Sequence, residues 1–221
     1  MGCRMGARQG HRPSAKARRK RGSALGLAAT AAVVASVMAA VMVPGSALAQ
    51  NVTYSEFKFG ILAHDVHFLG GKESGVDINP EVIFQSPVAD AWVAQLPWYL
   101  GWMVQPRPTL GAVFNTAGFT NQYYLGATWT WQLARDVLRP GDGINFGIFF
   151  GPGFNDGQKI ARQPDRKSLG SHVLFREAFE LGYLITPGYE ISVYLDHVSN
   201  AGLLRQNQSL NEVGARIGVR F

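Results

Sequence analysis

The sequence predicts an all-β protein, an eight-stranded antiparallel transmembrane β-barrel, and three observations carry that prediction. Beyond residue 49, segments of about ten residues alternate apolar and polar side chains, the period of a strand, and Gly, Pro, Asn and Asp separate them. The polar sets are rich in glycine and poor in lysine, while aromatics crowd the ends of the apolar sets: Phe57, Trp129, Trp131, Phe150, Tyr183 and Phe221. An even strand number stands behind a secretory leader and ends on a terminal Phe. Alternation alone fits a soluble barrel or sandwich equally well. The cramped polar face and the aromatic girdles favour the inverted arrangement of an outer-membrane barrel. Eight strands leave a lumen filled by side chains, not an open pore.

The runs follow in order. Glu56 to Ala63 sets Phe57, Phe59 and Ile61 against Glu56 and Lys58. Val76 to Phe84 puts Asp77, Asn79 and Glu81 on a polar face. Thr109 to Thr116 opposes Leu110, Ala112 and Phe114 to Thr109, Gly111 and Asn115. Gln122 to Gln132 alternates most regularly, Ile144 to Phe150 sets four apolar residues against Asn145 and Gly147, and Val173 to Ile185 places Arg176 and Glu180 on its polar side. The last two runs begin at Ile191 and Glu212. In the final one, Arg216 and Arg220 share a face with Gly214 and Gly218 and need a wet surround. His64 to Gly75 and Gly153 to Gly170 read as long exposed loops. Val88 to Met103 reads as a packed aromatic connector, the alternatives being a short interfacial helix or an irregular turn, with Pro97 against a long helix.

Residues 1–49 differ in kind. Eight basic residues precede an uncharged apolar run from Ala24 to Val43, then Pro44 and Ala47-Leu48-Ala49. That order is a signal peptide cleaved after Ala49, with residues 50–221 forming the barrel domain. A retained anchor is the alternative, because the run is long enough to span a bilayer. Removing those eight from 21 basic residues leaves 13 against 15 acidic ones, a net charge of −2. The basic character belongs to the leader, and no basic patch points to nucleic acid. Cys3, the only cysteine, leaves with the leader, so no disulfide or thiolate chemistry remains. His64, Asp65 and His67 have a faintly metal-like spacing without further matching ligands. Neither a metal nor a cofactor is expected.

One strand carries an anomaly. In the run from Ile191, His197 and Ser199 share the apolar face with Ile191, Val193 and Leu195. Polar groups there are costly at mid-bilayer and cost about zero to one kcal/mol near an interface. Read with Asn200, Ala201 and Gly202, they gain a purpose. Ser199 supplies a hydroxyl and His197, two positions away, a base for its proton. The Asn200 amide and the Gly202 N–H would hold an oxyanion.

The segment His197-Val198-Ser199-Asn200-Ala201-Gly202, then Asn207 and a last strand ending at Phe221, resembles the PagL-type lipid A 3-O-deacylases of the outer membrane. Leu174-Phe175-Arg176, Glu180-Leu181-Gly182-Tyr183, Pro108-x-Leu110-Gly111 and Asn115-Thr116-Ala117-Gly118 add looser support. The resemblance implies a Ser–His–Glu triad on the outer barrel surface that cleaves the ester-linked acyl chain at position 3 of lipid A. It implies Ser199 as nucleophile, His197 as base, Asn200 and Gly202 as oxyanion site, and an outer-membrane location. Lipid A or lipopolysaccharide and outer-membrane lipids are the implied partners, and a homodimer is the assembly it allows. The family's glutamate lies fourteen positions after the histidine, and here that residue is Asn211. Glu212 falls on the lumen face by parity. Asn211 can fix the imidazole tautomer but carries no charge to stabilise imidazolium. A three-residue turn at Thr186-Pro187-Gly188-Tyr189 brings Glu177 opposite His197 or Ser199 on the apolar face. Glu177 is therefore a candidate replacement acid, the alternative being a residue of the membrane interface. A phospholipid acyl hydrolase, or a barrel that lost activity with the glutamate and serves a structural or lipid-binding role, are the other readings.

Overall fold

The computed structural model describes residues 54–67 and 71–221; the expected leader lies outside them. Among the described residues, eight antiparallel strands close into a barrel in which each pairs with its neighbours in sequence and β1 pairs with β8. They are β1 (Glu56–Ala63), β2 (Val76–Ile83), β3 (Arg107–Asn115), β4 (Gln122–Arg135), β5 (Gly143–Asn155), β6 (Val173–Thr186), β7 (Tyr189–Ser199) and β8 (Leu210–Arg220). The alternation read from sequence is the alternation of burial. On β7, Glu190, Ser192, Tyr194, Asp196 and Val198 are buried, whereas Ile191 and Val193 stand exposed between them. Val193 is 62% exposed and Ile217 57%, so the outer wall is the apolar one.

Charge fills the lumen, and it is paired. Lys58 Nζ lies 2.7 Å from Glu180 and 2.9 Å from Glu190, whose other oxygen takes Arg220 at 2.8 Å. Arg176 pairs with Asp196 and Arg216 with Glu81. Their guanidinium groups lie over the rings of Tyr124 and Tyr194, at 4.1 and 4.2 Å respectively. Leu62, Val113, Tyr124, Phe149, Ala178 and Tyr194 form an apolar plug between these layers. A cavity of about 10 Å³ beside Glu81, Thr128, Phe149 and Tyr194 has room for about one water, so this stretch is no pore. Gly111 makes space for the plug: a Cβ there would lie 2.3 Å from the Tyr124 hydroxyl.

One strand runs further than the sequence reading gave it. Strand β5 continues through Gly151-Pro152-Gly153 to Asn155, where Gly and Pro signal a break. The missing N–H of Pro152 is harmless because the β4–β5 ladder is interrupted between Tyr124↔Gly153 and Ala127↔Phe150. The Val88–Met103 connector folds into two single helical turns, α1 (Asp90–Val93) and α2 (Trp98–Gly101), with a 3-10 turn at Trp102–Val104. Pro97 separates the two α turns, since its ring and missing N–H do not allow a continuous helix.

Candidate active site on the outer wall

The site begins with register. His197 on β7 stands directly opposite Asn211 on β8 and Glu177 on β6, and Ser199 stands opposite Phe175. Parity then puts all of these on the outer wall, since Asp196 and Val198 on β7, and Arg176 and Ala178 on β6, are buried. His197 Nδ1 meets Asn211 Oδ1 at 2.6 Å. That acceptor defines the tautomer: Nδ1 carries the proton, and Nε2 keeps a lone pair for a hydroxyl. Ser199 is two positions along the same face and does not hydrogen-bond His197 in this structure; its Oγ accepts from Ala201 N at 3.4 Å. Glu177 lies where the turn geometry predicts, half-buried beside His197, and its carboxylate makes no hydrogen bond among the described residues.

The turn after Ser199 is tightly built. Ala201 and Gly202 take φ of 52° and 77°, and Leu203 N–H donates to Asn200 O at 3.0 Å. Asn200 is 4% exposed and spends its amide on the loops: Nδ2 donates to Leu169 O at 3.0 Å and to Gln206 O at 2.5 Å. Its Oδ1 accepts from Gly202 N at 3.1 Å. Both expected oxyanion donors are thus engaged in the resting structure. The reason is parity: residue 200 follows the inward series of β7, and a buried amide must be satisfied. The least committed amide near Ser199 is that of Ala201.

Sequence reasoning missed the layer behind Asn211. Asn211 Nδ2 lies 3.0 Å from His67 Nε2, and Val66 N–H donates to Asn211 O at 2.8 Å, which seats the β1–β2 loop on β8. Lys167 Nζ lies 2.7 Å from the same His67 nitrogen and pairs with Asp65. Burial pushes Lys167 below its ordinary pKa, against the pull of Asp65. The only trace in sequence was the His64, Asp65, His67 grouping. Nothing in that spacing says the loop reaches β8, which follows from barrel closure, Ala63 facing Val213.

His64 has a different occupation. Its Nδ1 meets Asp77 at 2.8 Å and its Nε2 meets Glu73 at 3.2 Å, so both nitrogens face carboxylates. Burial alone would lower its pKa, but hydrogen bonds to Asp77 and Glu73 raise it to about 9. Burial opposes ionisation of Glu73 too, yet donors from His64, Thr120 and Lys167 hold it down at about 2. The ligand atoms of His64, Asp77 and Glu212 lie within 4.8 Å of one another, as metal ligands do. The imidazolium is itself the cation of that cluster, so the grouping makes no case for a metal.

Towards the end of the barrel where β7 begins, the outer wall carries a shallow apolar groove of about 750 Å³, lined by Ile61, Leu181, Ile191, Val193, Ala215 and Ile217. It does not touch Ser199, but it lies on the same wall and the same strands.

No curated protein sequence matches the chain significantly. Among solved structures, the outer-membrane enzyme PagL superposes with a TM-score of 0.53 at 14% identity, over 74% of this chain and 98% of that one. A designed transmembrane β-barrel gives 0.47 at 10% identity, over 79% and 100%. The N-terminal β-barrel domain of Pseudomonas aeruginosa OprF gives 0.45 at 9%, over 78% and 100%. At 14% identity the likeness to the PagL structure is one of fold. The family profile of the lipid A 3-O-deacylases, PagL, matches residues 90–220, more than half of the sequence and all of β3 to β8. The chain belongs to the PagL family of lipid A 3-O-deacylases.

Proposed function

We propose that this protein is an outer-membrane esterase that removes the ester-linked acyl chain at position 3 of lipid A. The observation that carries the reading is the His197–Asn211 hydrogen bond at 2.6 Å beside Ser199 on an apolar outer wall. On a soluble protein such a wall has no use, whereas in a bilayer it faces the acyl chains of the substrate. In this reading residues 1–49 export the chain and residues 50–221 insert.

Ser199 Oγ attacks the ester carbonyl while its proton passes to His197 Nε2. The developing oxyanion is met at the Asn200–Gly202 turn, where Ala201 offers its N–H and Gly202 offers its own once it releases Asn200 Oδ1. Collapse breaks the bond to the sugar oxygen, which leaves with the proton from His197 and becomes the free 3-hydroxyl. Water, deprotonated by His197, then releases the acyl chain from Ser199 as a fatty acid. The groove below the pair is apolar and suits that chain. The missing triad acid is divided between two residues: Asn211 orients the imidazole, and Glu177 supplies the charge that stabilises imidazolium. Asn211 alone favours the inactive-barrel reading, which leaves a lone carboxylate on the apolar wall unexplained.

The test is the mass of lipid A from cells with and without the protein. The reading expects loss of one 3-hydroxyacyl mass with the wild type, and a rate lower by about 10³-fold or more in Ser199→Ala. An unchanged spectrum with properly folded wild-type barrel in the outer membrane would refute it. Loss of acyl mass from phospholipids alone would replace lipid A by phospholipid as substrate.

A further inference from the structure

The loop that follows Ser199 is wound around one buried side chain. Asn200 Oδ1 accepts from the N–H groups of Gly202 and Leu204, at 3.1 and 3.4 Å, and its Nδ2 donates to Gln206 O at 2.5 Å. Asn207 returns the hold, its Oδ1 accepting from Asn200 N at 3.0 Å. Residues 201–206 are therefore kept on the rim beside Ser199, where Leu203, Leu204 and Arg205 are exposed.

The β5–β6 loop closes on the same rim. Gly170, at φ 82°, lies so near the second loop that a Cβ would come within 2.2 Å of Gln206 O, and its N–H donates to Lys159 O at 3.0 Å. Lys159 and Arg205 thus flank one junction. Both are exposed, and both stand among exposed apolar residues, Ile160 at 68% and Leu203 at 75%. Neither cation has an ion pair or a side-chain hydrogen bond among the described residues. The loop carboxylates are engaged elsewhere, Asp65 with Lys167, Glu73 with His64 and Asp156 with Asn121, and Asp165 pairs with neither cation. In the lumen, by contrast, Lys58, Arg107, Arg176, Arg216 and Arg220 each pair with a carboxylate.

Apolar tips beside unpaired cations suit a segment seated at a charged lipid boundary, with stems in the acyl layer and heads at the level of the phosphates. Two cations at one junction repel each other, and an anion between them reverses that. Arginine meets a phosphate with paired donors and lysine with a point charge. Lipid A is an acylated disaccharide that carries phosphates, so its headgroup brings such an anion to this rim when one of its esters reaches Ser199. We propose that Arg205 and Lys159 form a subsite for a phosphate of the glycolipid substrate, which selects phosphorylated over uncharged glycolipid at Ser199. This deepens the deacylase reading of Ser199 and His197 and rests on it.

The experiment uses the full barrel in micelles of neutral detergent, with lipid A and fully dephosphorylated lipid A as the two substrates. In the wild type, KM for lipid A is at least about tenfold below that for the dephosphorylated form, the size expected of two surface cations, while kcat is the same for both. In Arg205→Gln/Lys159→Gln the two KM values come within about twofold of each other, whereas Arg205→Lys, which keeps the charge, holds the preference within about threefold of wild type. Added salt narrows the wild-type difference, because the attraction is screened. Equal KM values in the wild type, or an undiminished difference in the double variant, overturn the proposal. So does a double variant that loses kcat and keeps the KM ratio, since the two residues then only shape the loops. Calorimetry on Ser199→Ala reads binding without turnover: lipid A binds at least about tenfold more tightly than its dephosphorylated form, and the difference disappears when Arg205 and Lys159 are also changed to Gln. Phosphate-dependent binding with no acyl release by the wild type overturns the deacylase reading and leaves the subsite standing. Binding that ignores phosphate, with full acyl release, does the reverse.

Discussion

Asp196 and His197 are neighbours on β7 and live by opposite rules. Asp196 faces the lumen at 0% exposure, paired with Arg176 among buried charges. His197 faces outward, half-buried, with one hydrogen bond to a neutral amide and an uncommitted carboxylate across the ladder. Inside, polar groups have many partners and removing one strands another. Outside, partners are few and come from the adjacent strands and the β1–β2 loop, so one substitution changes the candidate site and spares the wall. The same alternation that builds the barrel thus separates the groups that hold it together from the candidate active site, one residue apart.

The comparison is broken most severely from the inside. Arg176→Ala leaves Asp196 buried without its cation, and the barrel loses about 3–5 kcal/mol of stability. Urea unfolding in detergent measures it; a variant within 1 kcal/mol of wild type would show that the lumen tolerates a lone charge. The His64 cluster gives a smaller effect that depends on pH. The His64 pKa is raised to about 9 in the folded protein against an ordinary 6.5. Its contribution is therefore fully present below pH 6.5 and lost as pH rises through about 9, amounting to about 3 kcal/mol. The thermal midpoint should fall across that window in the wild type and stay flat in His64→Gln.

Much of this was legible in the sequence because it follows from period two. The eight strands follow from alternation, and the inward Arg176, Glu180 and Arg216 and the outward His197 and Ser199 follow once the glycine-rich polar face and the aromatic girdles set which face is inside. Turn length at Thr186 to Tyr189 placed Glu177 opposite His197 or Ser199, and the register makes it His197. What escaped was whatever depends on loops and on backbone exceptions. His67 reaches Asn211 only because closure sets β1 beside β8, and a loop has no period to reveal that. Pro152 lies inside a strand because one ladder is interrupted beside it. The Asn200 amide serves the loops because its position inherits the inward side of β7.

The smallest expected effect sharpens the comparison most. Glu177 is a charge on the apolar wall, and the interior rules do not apply to it: it has no partner to strand, so Glu177→Gln should leave thermal stability unchanged. Its effect should appear only when His197 becomes imidazolium. Opposed residues on adjacent strands have Cβ atoms about 5 Å apart, where two unit charges interact by about 3 kcal/mol at an effective dielectric constant near 20. Half-exposure reduces that, leaving about a tenfold loss of rate, or 1.4 kcal/mol. The loss should fall on kcat and not on KM, because the positive charge exists in the transition state and not in the ground state. A Glu177→Gln enzyme with full kcat would mean that Asn211 orients His197 unaided and that this site stabilises imidazolium without any carboxylate on the wall.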